Sequence, residues 1–185
     1  YQRADLWSGS RLNEFIVKAG PVPLTHQPGE AFTYGINYDV LGALIERVSG
    51  QSFGEFLAAR IFAPLGMKDT AFDVPADKRY RLAKTYKHRA DGTGLVEAEP
   101  MLGVWAERGR GLPSGGAGLF STVDDYARFA QMLCNGGNLD GKRILGRKTV
   151  ELMTANHLTA LPDHAHAFNR AKGFGVGVEV SIDPG

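Results

Sequence analysis

Apolar residues recur along this chain mainly at three- and four-residue steps, a period that predicts helices. Leu12, Phe15, Ile16 and Ala19 share one face of a helix over 11–19, which Ser10 is placed to cap and Gly20-Pro21 to end. After the loop "PVPLTHQPGE", Val40, Leu41, Leu44, Ile45 and Val48 mark a second helix over 37–49, closed by Ser49-Gly50. Ser52 and Glu55 stand in capping-box register for a third over 52–62, with Phe53, Phe56, Leu57 and Ile61 on its apolar side. Ser121 heads a fourth over 122–135, where Asp124 and Asp125 complement the helix dipole and Gly136-Gly137 makes the stop. A fifth covers 147–156.

Between 70 and 99 the period changes. "TAFDV", "RLAKTYK" and "GLVEAE" read as short extended pieces, and "RADGTG" has the composition of a hairpin loop. "GFGVGVEVSI" near the end is strand-like, and the Gly-rich "GVWAERGRGLPSGGAG" follows neither period. The predicted fold class is α+β and helix-rich. Residues 1–185 read as one unit with a small extended hairpin subdomain.

Composition narrows the picture. The chain has 185 residues, 43% hydrophobic and 22% charged, which is enough to bury a globular core. A formal net charge of +1 gives no electrostatic case for nucleic acid or an anionic membrane surface. No apolar run approaches the ~20 residues that span a bilayer. The opening "YQRADLWSGS" has neither an initiator Met nor an apolar leader segment, and reads as a chain that starts in mid-protein. The single cysteine, Cys134, excludes an internal disulfide, and its apolar helical surroundings predict a buried, inert thiol.

Most candidate chemistry falls away. Gly-x-Ser-x-Gly, Walker A, His-Glu-x-x-His and paired Cys-x-x-Cys are absent. His157, His164 and His166 lack the converging third and fourth ligands a zinc site needs, so no metal or other cofactor is implied. Lys84, Lys87, His88 and Arg89 read as a solvated basic face. The Gly-rich stretch lacks the spacing and lysine of a phosphate loop, and the aspartates after it would repel a phosphate. Tyr34 remains, directly before a glycine at a helix entrance. On its residues alone it is either a packed aromatic or a phenol held out for chemistry.

Three segments in order carry a resemblance. "PGEAFTYGINYDVLGALIERVSGQSFGEFLAARIFAPLGMKDTAF", "GGAGLFSTVDDYARFAQMLCNGGNLDGKRIL" and "KTVELMTANHL" resemble serine β-lactamase-like hydrolases. That group includes class C β-lactamases, low-molecular-weight penicillin-binding proteins and family VIII carboxylesterases. The resemblance covers nearly the whole chain and implies the helical domain of the β-lactamase/transpeptidase-like fold. It also implies acyl transfer. A serine in a Ser-x-x-Lys motif attacks an ester or amide carbonyl, and water hydrolyses the acyl-enzyme. A tyrosine beside the lysine cation shuttles the serine proton, because the cation favours the phenolate.

Counting back from Leu41-Gly42, the family VIII pattern places that tyrosine at Tyr34; Tyr38 lies one helical turn deeper. By the same resemblance Gly116, Ala117 and Gly118 border the substrate cleft opposite Tyr34, with Trp105 as an apolar wall. The alternative, that these glycines only shape a turn into the next helix, stays open. β-Lactamases and peptidases of the group carry Asn two residues after the tyrosine. Here Ile36 stands there, which tilts the implied substrate from β-lactams and peptides towards short-chain esters. A β-lactamase or D-amino-acid-specific peptidase is the alternative within the family; a non-catalytic binding module of the same fold is the alternative outside it.

No serine here has lysine three positions on, and no Lys-Thr-Gly or Gly-Gly variant lies on a core strand; Lys148-Thr149-Val150 is helical in pattern. The expectation is therefore the middle of a longer enzyme, inactive by itself. The partner expected is a small-molecule ester or amide, and oligomeric state is open.

Overall fold

The computed structural model describes residues 5–98, 111–159 and 172–181. The helices among these residues are α1 (Leu12–Ala19), α2 (Asn37–Ser49), α3 (Phe53–Leu57), α4 (Ala63–Leu65), α5 (Val123–Cys134) and α6 (Arg147–Met153). A π-helical turn, Ala58–Phe62, joins α3 to α4, and 3-10 turns cover Leu6–Ser8 and Ala76–Arg81. Among the described residues three antiparallel hairpins complete an α+β chain: β1 (Thr85–His88) with β2 (Leu95–Ala98), β3 (Asn138–Leu139) with β4 (Lys142–Arg143), and β5 (Lys172–Phe174) with β6 (Glu179–Ser181). In the first, Thr85 faces Ala98 and His88 faces Leu95, which fits the expected hairpin loop.

The chain divides into two compact units. The first comprises Tyr1–Gly20, Asn37–Phe56 and Asp69–Ser121. Its core gathers Leu6, Leu12 and Phe15, all fully buried, with Phe53. Gly42 is what lets α2 approach: a Cβ there would stand 3.0 Å from both Leu12 Cδ1 and Phe53 Cδ1. The Phe53 and Phe72 rings meet at 5.3 Å. The capping box forms as its spacing predicts, with Ser52 N–H donating to Glu55 Oε2 and Glu55 N–H to Ser52 Oγ. The Ser52 hydroxyl and amide hold the Glu55 carboxyl below its ordinary range.

The second unit comprises Pro21–Ile36, Leu57–Lys68 and Thr122–Gly185. Phe62, Leu65, Met67 and Met132 form its core, flanked by Leu57, Ile61, Phe129, Leu133, Leu139 and Ile144. Two helices here end alike. Gly66 at φ 68° lets Met67 N–H reach Phe62 O, and Gly136 at φ 66° lets Gly137 N–H reach Met132 O, so each closes a left-handed glycine cap.

Several local expectations are corrected. Arg11, not Ser10, stands at the N-cap of α1 without a side-chain cap bond; Ser10 instead gives its amide N–H to Glu14 Oε2. Thr122, not Ser121, caps α5, accepting from Asp125 N–H at 3.2 Å. Ser121 has moved into the partnership with Thr70, their hydroxyls 2.8 Å apart. "TAFDV" contributes a single bridge, Ala71 to Phe120, rather than a strand. Cys134 is exposed, because α5 turns Met132 inward and a residue two further on points away. The apolar stripe of α2 is also outward: Val40, Leu41, Leu44 and Val48 are exposed, while Asp39 and Gly42 are buried.

Candidate active site

Tyr34 lies on a segment without regular secondary structure that bends at Gly35-Ile36 into α2. Two residues before it, Phe32 packs on Phe174 of β5, ring centroids 5.1 Å apart. Phe174 is itself fixed: its N–H donates to Asn156 Oδ1 at 3.2 Å, and its carbonyl accepts from His157 N–H at 2.9 Å. The same Asn156 oxygen accepts from Leu158 N–H. An aromatic anchor thus ties the segment to β5, and the phenol that follows is 59% exposed. Tyr38, in the first turn of α2, is half-buried instead.

The glycine-bearing loop is built on the other unit. Gly115 lies so close to α2 that a Cβ would sit 2.3 Å from Tyr38 O. A Cβ at Gly118 would sit 2.8 Å from Ser114 N and O and 3.0 Å from Phe72. Both glycines are required by local packing. Gly116 differs: its Cβ would be in ordinary contact, 3.5 Å from Asp39 Oδ2, and its φ is not positive. Gly116 and Ala117 are exposed and Gly118 is buried.

The loop closes on itself through Gly118 N–H to Ser114 O, 2.8 Å. Its exit is pinned by the paired bonds between Ala71 and Phe120. Its entrance is held by a buried pair the sequence reading missed. Ser114 Oγ–H donates to Asp39 Oδ1 at 2.5 Å, across 75 residues of chain, and both residues are 3% exposed. Asp39 in a first helical turn reads as an ordinary dipole partner. The structure turns it to the core side through its i,i+3 relation to the inward Gly42, a face the apolar periodicity of α2 does not select.

Trp105, His164 and His166 lie outside the described residues. His157 is accounted for by its Nε2, 2.8 Å from Leu152 O. Among the described residues no cluster of three His, Cys, Asp or Glu could hold a metal ion. No helix among them is long and apolar enough to cross a membrane. Lys84, Lys87, His88 and Arg89 are exposed, and Lys84 pairs with Glu97 at 2.9 Å.

The family model described as Beta-lactamase matches residues 2–184, and the chain belongs to that family. It is 34% identical over 189 residues to Protein Rv1367c of Mycobacterium tuberculosis, an alignment covering all of this chain and 46% of that protein. It is 33% identical over 166 residues to the lovastatin esterase of Penicillium rubens, covering 88% of this chain and 40% of that one. Among solved structures it resembles EstCE1, a hydrolase with promiscuous acyltransferase activity, at 26% identity and TM-score 0.72, over 94% of this chain and 46% of that one. The chain spans less than half the length of these relatives.

Proposed function

We propose that the longer protein carrying this chain is a serine hydrolase that works through an acyl-enzyme, with short-chain carboxylic esters as substrates. In this reading a serine outside the present chain attacks the ester carbonyl. Tyr34 accepts the serine proton and delivers it to the departing alcohol; water then releases the acid and returns the proton to serine. Gly116, Ala117 and Gly118 border the acyl group.

The observation that carries the reading is Tyr34 itself. A large aromatic side chain left 59% exposed at a helix entrance, on a segment anchored by Phe32, is poorly explained as core packing. Gly116 adds support, since nothing in the local packing demands a glycine there and a missing side chain leaves room for an acyl group. Preference for esters rests on Ile36, which offers no amide to a peptide-like substrate. The name of the lovastatin esterase agrees with that preference, and the acyltransferase activity named for EstCE1 agrees with acyl transfer.

The test is to incubate the full-length protein with p-nitrophenyl butyrate and a penicillin in parallel. Mass spectrometry of the quenched protein then reads the adduct. Butyrate turnover with a butyryl-serine adduct, and slow or no penicillin hydrolysis, is expected. Faster penicillin hydrolysis would move the assignment to a β-lactamase. No turnover and no adduct with either would favour the binding module.

A further inference from the structure

We propose that Asp39 is a positioning residue: through Ser114 it fixes the 114–118 loop, and so sets the acyl length the site accepts. This rests on the reading of Gly116–Gly118 as the acyl border.

The loop has two kinds of restraint. Gly118 and Phe120 are held by backbone bonds, to Ser114 O and to Ala71, and Thr70 meets Ser121 beside them. Those bonds fix the shape of the loop's second half. The loop's placement against α2 depends instead on side chains. Ser114 Oγ–H donates to Asp39 Oδ1, and Asp39 Oδ2 faces the position a Gly116 Cβ would take, at 3.5 Å. One carboxylate therefore holds the loop at Ser114 and faces it at Gly116, on either side of Gly115, where a Cβ would meet the Tyr38 carbonyl. Gly116 and Ala117, between the restraints, are the part left exposed.

A carboxylate is an expensive choice for this place. An apolar side chain would fill the space without the desolvation penalty of a buried charge. What a directional acceptor adds is register: Ser114 can occupy one position along the helix end, and Gly116 follows. A displacement of Gly116 by about one ångström alters the space beyond it by about one methylene. Such a difference is ordinarily worth tenfold or more between substrates.

The experiment uses the full-length protein with Asp39→Asn, Asp39→Ala, Ser114→Ala and the Asp39→Ala/Ser114→Ala double variant. One arm follows amide hydrogen exchange in peptides spanning 112–119. The other measures kcat/KM for p-nitrophenyl acetate and hexanoate and takes their ratio, in which the fraction of folded enzyme cancels. Faster exchange is expected in Asp39→Ala and Ser114→Ala, with a smaller change in Asp39→Asn, whose amide oxygen still accepts from Ser114. The acetate-to-hexanoate ratio should shift about tenfold in the two alanine variants, and the double variant should match the worse single, as a pair acting together requires. Unchanged exchange in folded variants would overturn the clamp. Faster exchange with an unchanged ratio would overturn the role in acyl length and leave a structural pair. Should Asp39→Ala fail to fold, Asp39→Asn and Ser114→Ala carry both arms. A wild-type protein without ester turnover would sink the ester assignment and the acyl-length role, while the exchange arm would still decide the clamp.

Discussion

Replacing Gly42 with alanine sets two effects of opposite sign against each other. In a helix interior, alanine is favoured over glycine by about 1 kcal/mol. Packing opposes it. The new Cβ would stand 3.0 Å from Leu12 Cδ1 and 3.0 and 3.1 Å from Phe53 Cδ1 and Cε1. Carbon atoms in comfortable contact are about 3.5–4.0 Å apart, so both neighbours must retreat by roughly half an ångström. Leu12 is fully buried and Phe53 nearly so, which leaves little room for retreat. Overpacking of this kind costs about 1–3 kcal/mol. The net expectation is a loss of about 1 kcal/mol, within a range of about 0–2. Gly54 supplies the control, since a Cβ there meets only Phe72 Cδ2 at 3.5 Å. Gly54→Ala should therefore stabilise by about 0.4–1 kcal/mol. Urea denaturation of the two full-length variants beside wild type measures both signs. If Gly42→Ala stabilises as much as Gly54→Ala, the close approach of α1 and α3 to α2 is wrong.

Two further predictions concern charge. Asp69 accepts from Lys78 and Arg81, and these hydrogen bonds hold its carboxyl below its ordinary range. The stabilisation is therefore complete above the ordinary carboxylate pKa and is lost as pH falls through the depressed one. The stability gap between wild type and Asp69→Asn should close on acidification, and a gap that widened would contradict the pairing. Arg128 donates through Nε to the Leu65 carbonyl and through Nη2 to Asp140 Oδ2 at 2.6 Å. Lysine lacks the planar fork to reach both. Arg128→Lys should cost about 1 kcal/mol, a charged hydrogen bond discounted for solvent exposure; an unchanged urea midpoint would refute it.

Which parts of this structure were legible in the sequence follows from the range of the forces involved. Local signals served well. The Ser52–Glu55 box, the Gly136 stop and the β1–β2 hairpin depend on neighbours a few residues away. The β3–β4 hairpin carried such a signal too, unread: Asp140-Gly141, whose φ values of 49° and 76° suit the tight two-residue turn. Non-local choices were not legible. Periodicity places α2 over 37–49, yet the face it buries is decided by Leu12 and Phe53, which need a glycine opposite them. The Val40, Leu41, Leu44 and Val48 stripe therefore points outward. For the same reason the bond between Asp39 and Ser114 has no sequence signature, since 75 residues separate its ends. Ser121 yielded the α5 cap to Thr122 because Thr70, fifty-one residues away, claims its hydroxyl.

The central claim is that Tyr34 is the acid–base phenol, and one pair of variants tests it most directly. Tyr34→Phe and Tyr38→Phe each remove a single oxygen. Steady-state hydrolysis of a short-chain p-nitrophenyl ester by the full-length variants, with thermal melts to confirm folding, reads the consequence. Tyr34→Phe should lower kcat/KM by about 10²–10⁴-fold, with Tyr38→Phe near wild type. Wild-type rates in Tyr34→Phe, or the larger loss in Tyr38→Phe, would contradict the account.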